Sequence, residues 1–263
     1  MWHYFVVGLI QGIFEWLPVS SEGMIVLAET MWFGGTELEK MVQLALFLHL
    51  GTVLAAIVYF YDDVWNLLRT MVSYRTAKME DRVLLWFLVA STFTTGVVGL
   101  AVLSLMRQVD ASDLPGRVLL FGIGVLLLIT GFTQTRRKVT DRGRQSSEVT
   151  IPDGLMIGVV QGLAGLPGLS RSGSTVALLL MRKFGDVAAL RLSFLASIPA
   201  VIGGNIVLNR EYFSLGGPEL VGLLTAFVAG LATIHLMLVV ARKISMAYFV
   251  FGFAILVIAA SFI

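Results

Sequence analysis

The sequence predicts an all-α integral membrane protein of six transmembrane helices and two re-entrant helix pairs in an inverted-topology repeat. Three observations carry this prediction. Of 263 residues 57% are hydrophobic and 14% charged, and the mean hydropathy of +0.87 is too high for a water-soluble domain of this length. Six apolar runs reach the length of about 20 residues that crosses a bilayer. Two further apolar stretches carry Pro and Gly in their middles, and they resemble each other.

The elements follow in chain order. Residues 1–33 are apolar but interrupted at Pro18, whose ring cannot continue a helix, so the stretch reads as helix, break, helix. Residues 1–13 lack a basic n-region and a small-residue cleavage site, and read as mature structure rather than a signal peptide. Spans follow at residues 41–61, 83–106 and 117–134. A basic linker, 136–150, leads to the second interrupted stretch, 151–184, and then to spans at 187–208, 219–241 and 245–263. Broken helices are tolerated at membrane depth only where the broken backbone is buried in protein or lines a polar cavity, so function is sought there first.

The run Gly8-Leu9-Ile10-Gln11-Gly12-Ile13 aligns with Gly158-Val159-Val160-Gln161-Gly162-Leu163, and each is followed by a Pro and then a pair of serines. This is an internal duplication within a single membrane domain, with residues 1–145 as the first repeat and 146–263 as the second. One broken segment and three spans per half give an odd number of crossings, so the second copy enters from the opposite face and the site forms where the broken segments meet.

Charge sets the orientation. Fourteen of the 19 basic residues, among them Arg69, Arg75, Lys78, Arg82, Arg136 to Arg144, Arg182, Lys183, Arg191, Arg242 and Lys243, fall on one side. That side is expected in the cytoplasm, with both termini outside, in a multi-pass protein of the plasma membrane. The net charge of +2 argues against a nucleic-acid partner, and the absence of cysteine excludes disulfides and thiolate chemistry. Trp2, Trp32, Trp65 and Trp86 near span ends are expected to anchor at the interface. Gly96 to Gly99 and Gly203-Gly204 are expected at close helix contacts.

Arg171 lies in an apolar context and needs a partner there. Around it Ser170, Ser172, Gly173 and Thr175 place hydroxyl and N–H donors at the start of a helix, a site suited to phosphate. The plain alternative is that Arg171 neutralises Glu15 while the serines cap a helix. In the first copy Gln11 and Glu15 share a helix face, and Ser20 and Ser21 follow Pro18 as caps. A hydroxyl at Ser21 facing a carboxylate and an arginine is also a candidate nucleophile. Glu15 and Glu22 are candidate ligands for a divalent cation, Mg²⁺ or Ca²⁺.

At these residues the chain resembles a known family, the undecaprenyl-pyrophosphate phosphatases or bacitracin-resistance proteins. Residues Gln11 to Gly23 are similar to the pattern E-G-x-x-E-F-L-P-V-S-S-x-G-H, and Pro167 to Gly173 to P-G-x-S-R-S-G. The resemblance implies removal of one phosphate from a polyprenyl pyrophosphate, recycling the lipid carrier of glycan synthesis. It implies Glu15 as the essential carboxylate, Ser21 as nucleophile, and Arg171 with Ser170 and Ser172 as the phosphate-binding group. Two positions depart from the pattern: Gln11 stands for a glutamate and Met24 for a histidine. His49 replaces the lost imidazole if it faces the cavity, and is otherwise a packed histidine. The expected partners are the polyprenyl pyrophosphate and membrane lipids, with a homodimer left open. The competing expectation is a polyprenyl-phosphate flippase with a binding site and no chemistry.

Overall fold

Capping and breaking residues set the boundaries of the helices seen in the computed structural model, which describes residues 1–17, 20–33, 38–106, 121, 124, 125, 128, 143–165, 169–209, 217–245, 247–260 and 262. The first interrupted stretch forms α1 (Trp2–Phe14) and α2 (Ser21–Trp32), the latter opened by Ser20, whose side chain accepts from the Gly23 N–H at 3.2 Å. Then come α3 (Leu38–Tyr59), α4 (Tyr61–Val72) and α5 (Met79–Met106). A 3-10 turn at Ser146–Glu148 precedes the second interrupted stretch, α6 (Ile151–Leu163) and α7 (Arg171–Met181). Ser170 opens α7 as Ser20 opens α2, accepting from Gly173 at 3.2 Å. The chain continues through α8 (Asp186–Leu208), α9 (Glu219–Ala241) and α10 (Ala247–Ala260).

Among the described residues three helices are long and apolar enough to cross a membrane: Met79–Leu105, Asp186–Leu208 and Glu219–Ala241. A fourth is added if α3 and α4 count as one span, although they meet at a bend of 86°. Of the remaining expected spans, 117–134 lies almost wholly outside the described residues, and 245–263 is helical over Ala247–Ala260. The stretch holding Arg69 was expected as a loop and is instead helix α4. Its polar residues lie on one flank of an apolar helix, a pattern that an average over the stretch conceals.

Packing is reciprocal between the two halves. Helix α1 lies against α9, with Gly8 on the backbone of Gly222 and Gly12 on Ala226 and Gly230. Helix α6 lies against α5 in the same way, with Gly154 on Phe87, Gly158 on Ser91 and Gly162 on Val98. A Cβ at Gly158 would sit 2.6 Å from the Ser91 carbonyl oxygen, so these glycines are what let the helices approach. In each pair the numbering rises together, so the partners run parallel. The corresponding long helices α3 and α8 run antiparallel. Asn209 Nδ2 donates to the Gln43 carbonyl at 3.1 Å near one end, and Arg191 pairs with Asp63 at the other.

The close-contact role expected of Gly96, Gly203 and Gly204 is not what the described residues show, while the Gly99 backbone nitrogen lies at the crossing with Gly162. A Cβ at Gly96, Gly99, Gly203 or Gly204 would meet nothing within 4 Å among the described residues. The contact glycines include those of the repeated motif, Gly8, Gly12, Gly158 and Gly162, together with Gly51, Gly154, Gly222 and Gly230. Helix α8 forms the centre of the core, burying Leu190, Leu192, Phe194 and Leu195, and Phe194 meets Trp16 edge to face at 4.6 Å.

At the basic end the linker is not simply solvated. Arg144 reaches Asp153 with Nη2 at 2.7 Å, Arg182 Nε reaches it at 2.8 Å, and Thr150 Oγ1 donates to it at 2.7 Å. Arg144 also stacks on Phe184 at 4.1 Å. Asp153 thereby fixes the start of α6. Burial alone would raise its carboxyl, but the hydrogen bonds from Arg144, Thr150 and Arg182 outweigh this and lower it to about 2. Residues 136–142 of the linker lie outside the described residues.

Candidate active site

The site begins with Glu15, the residue that ends α1. Its carboxylate is buried and takes four donors. On Oε2 it accepts from Ser21 Oγ at 2.8 Å and Gln11 Nε2 at 2.9 Å, and His49 Nε2 lies at 3.0 Å. On Oε1 it pairs with Nη2 of Arg171. A lone buried carboxylate costs several kcal/mol, so this shell is what allows the charge to remain.

Each donor is placed by its local fold. Ser21 opens α2 immediately after the cap at Ser20, and Arg171 opens α7 immediately after the cap at Ser170. The two motifs therefore present a serine and an arginine at equivalent positions. His49 comes from α3, its Nδ1 held 2.6 Å from the Ala45 carbonyl oxygen. A carbonyl only accepts, so Nδ1 carries a proton, and Nε2 must carry one to meet the carboxylate. Both nitrogens donate, and His49 is an imidazolium against Glu15.

These residues surround a small, partly open cavity, lined by Glu15, Ser20, Ser21, Glu22 and His49 on one side and by Ser170, Arg171 and Ser172 on the other. Arg171 lies 5.8 Å over the Trp16 ring, and among the described residues its buried Nη1 has no hydrogen-bond partner.

Not every expected residue offers a free donor to the cavity. The Ser172 hydroxyl donates to the Leu17 carbonyl at 2.7 Å, with Ser170 Oγ 3.2 Å from it, so this pair ties the two interrupted stretches together. Gly173 spends its N–H on the Ser170 cap. Thr175 is wholly buried away from the cavity, donating to the Arg171 carbonyl at 2.8 Å and lying 2.6 Å from Ser193 Oγ. Gln11 stands behind Glu15 with its Oε1 unpaired. Met24 is half-buried in α2 and is not among the residues lining the cavity.

The donor set also decides how a cation could be held. Glu15 Oε2 already serves three donors and Oε1 a guanidinium, so Glu15 does not fit as a ligand without losing its shell. Among the described residues no group of three His, Asp or Glu side chains is arranged to hold a metal ion. Glu22 is the remaining carboxylate at the cavity.

Sequence reasoning missed two backbone carbonyls, those of Ala45 and Leu17, because no residue type signals them. The spacing of Ala45 and His49 by one helical turn was the only hint that a backbone carbonyl holds this imidazole in its orientation.

With this geometry in hand, comparison with known proteins is decisive. The family model described as "Bacitracin resistance protein BacA" matches residues 4–259. The chain belongs to that family. It is 40% identical to an undecaprenyl-diphosphatase of Methanococcoides burtonii, over 98% of this chain and 97% of the relative. Its identity to the undecaprenyl-diphosphatase of Haloarcula marismortui is 36%, over 91% and 89%. To that of Halothermothrix orenii it is 31%, over 97% of each.

Proposed function

We propose that this chain is a membrane undecaprenyl-diphosphatase, hydrolysing a polyprenyl pyrophosphate to the monophosphate and inorganic phosphate. The observation that carries the reading is the Ser21 hydroxyl donating to Glu15 at 2.8 Å beside Arg171. A carrier needs a charged cradle but not a hydroxyl paired with a base.

The mechanism follows from these groups. The terminal phosphate enters between Arg171 and the first turns of α2 and α7, whose leading N–H groups have no acceptor within their helices. The unpartnered Nη1 of Arg171 takes one phosphate oxygen. Ser21 Oγ attacks the terminal phosphorus as its proton passes to Glu15, and the bond to the bridging oxygen breaks to release the polyprenyl phosphate. Water then cleaves the phosphoserine. Arg171 stabilises the charge spread over the equatorial oxygens, an effect strengthened by exclusion of water. His49 holds Glu15 in place and can return a proton to the leaving oxygen. A Mg²⁺ or Ca²⁺ ion, if used, would meet Glu22 and the substrate phosphates and supply charge neutralisation.

The finer architecture belongs to the same proposal. The inverted repeat, with halves 1–145 and 146–263, is supported by the reciprocal glycine contacts of α1 on α9 and α6 on α5, and by the antiparallel run of α3 and α8. Six spans, a plasma-membrane location, a cavity open to the outer face and a homodimer are proposed with it, the orientation on the ground of the charge asymmetry of the sequence. Labelling of introduced cysteines from one side, and cross-linking of the purified protein, test these.

The deciding experiment is phosphate release from undecaprenyl pyrophosphate by purified protein and by Ser21→Ala. Loss of release by several orders of magnitude with lipid binding retained supports the enzyme. Binding by the wild type without any release, at any divalent cation, would establish the flippase instead.

A further inference from the structure

Helix α4 has three faces, and among the described residues only one of them is docked on protein. On a helical wheel at 100° per residue, Tyr61, Trp65, Leu68 and Val72 fall within about 60° of one another. All four are exposed, at 58%, 43%, 50% and 88%. A second stripe about 100° away holds Asp62, Asn66 and Arg69, also exposed. The remaining face carries Asp63, Leu67 and Thr70. Leu67 and Thr70 are buried and Asp63 is paired with Arg191 of α8, so this side is docked on the protein.

We propose that α4 is an in-plane membrane anchor whose stripe of Tyr61, Trp65, Leu68 and Val72 is seated in the lipid head-group boundary at the basic end of the molecule. Two observations select lipid as the occupant. The stripe continues the exposed apolar surface of α3, where Leu54 and Val58 precede Tyr61 at helical spacing, and the 86° bend turns that surface nearly perpendicular to the α3 axis. The water-facing stripe and the loop after it carry Arg69, Arg75 and Lys78 against one exposed carboxylate, Asp62, a balance that favours anionic head groups. Arg69 also stacks over Trp65 at 5.1 Å, which keeps the indole at the boundary between the two stripes, where tryptophan is preferred. The inference rests on the membrane location of the chain and not on its phosphatase activity.

The absence of cysteine allows a direct test. Single variants Leu68→Cys and Asn66→Cys, each carrying an environment-sensitive fluorophore, are reconstituted in vesicles containing phosphatidylglycerol. The label at 68 is expected to be quenched several-fold more by a lipid-borne nitroxide than by aqueous iodide, and the label at 66 the reverse. Equal aqueous quenching at both positions would overturn the anchor. Protection at 68 that vanishes on dilution of protein into excess lipid would also overturn it, by identifying a second copy of the chain as the occupant. A thermal unfolding midpoint in detergent close to that of the wild type reports that both variants are folded.

Discussion

Arg171 and Glu15 are 156 residues apart and form one buried ion pair. Each opens or closes a helix of a different interrupted stretch, so this pair joins the two halves of the molecule at the cavity. Removing one partner leaves the other charge unpaired in a dry site, which costs more than the pair itself contributes.

Glu15→Gln is therefore expected to abolish phosphate release and to lower stability by roughly 3 kcal/mol, since Arg171 and His49 lose their common anion. The double change Glu15→Gln with Arg171→Met should recover part of the stability and none of the activity. Thermal unfolding in detergent alongside phosphate release separates the two effects, and equal stability losses in the single and double variants would count against the pairing.

Arg171→Lys keeps the charge but loses the planar fork. One ammonium cannot reach Glu15 and a phosphate oxygen together, so release should fall about 100-fold or more. Steady-state kinetics on a soluble prenyl pyrophosphate check this, and an unchanged kcat/KM would remove Arg171 from the phosphate site.

Gln11→Glu would make the chain match the family pattern, yet the structure gives it an unfavourable starting point. The Gln11 amide donates to Glu15 at 2.9 Å, and a second carboxylate there would repel it. Release is expected to fall when divalent cations are chelated and to recover above that level when Mg²⁺ or Ca²⁺ is restored. Activity that rises in the presence of chelator would show that the repulsion does not occur.

Asp153→Asn tests the clamp at the start of α6. The carboxyl is lowered from 3.8 to about 2 in the folded protein, so its stabilisation is complete above pH 4 and is lost as pH falls towards 2. The change is worth on the order of 2 kcal/mol at neutral pH. The gap in Tm between wild type and Asp153→Asn should close between pH 4 and pH 2. A gap that stays constant across that range would show that the ionised form is not what stabilises.

Composition and local pattern by themselves determined a membrane protein, the two broken helices and the caps at Ser20 and Ser170, because hydropathy, Pro18 and serine capping act over a few neighbouring residues. They also marked Glu15, Ser21 and Arg171, since a charge in an apolar run must find a partner. Only the tertiary structure decided which partner. That His49 faces Glu15 depends on how α3 lies against α1, and that Thr175 turns to Ser193 depends on α8; neither distance is encoded in local spacing. The same holds for the contact glycines, where Gly8 and Gly158 meet another helix and Gly96 and Gly204 do not, because a glycine's value at a crossing is fixed by what lies opposite it. Helix α4 was hidden for a related reason: its three faces average to a modest hydropathy, and they separate only when the bend at Phe60 turns each face towards protein, lipid or water.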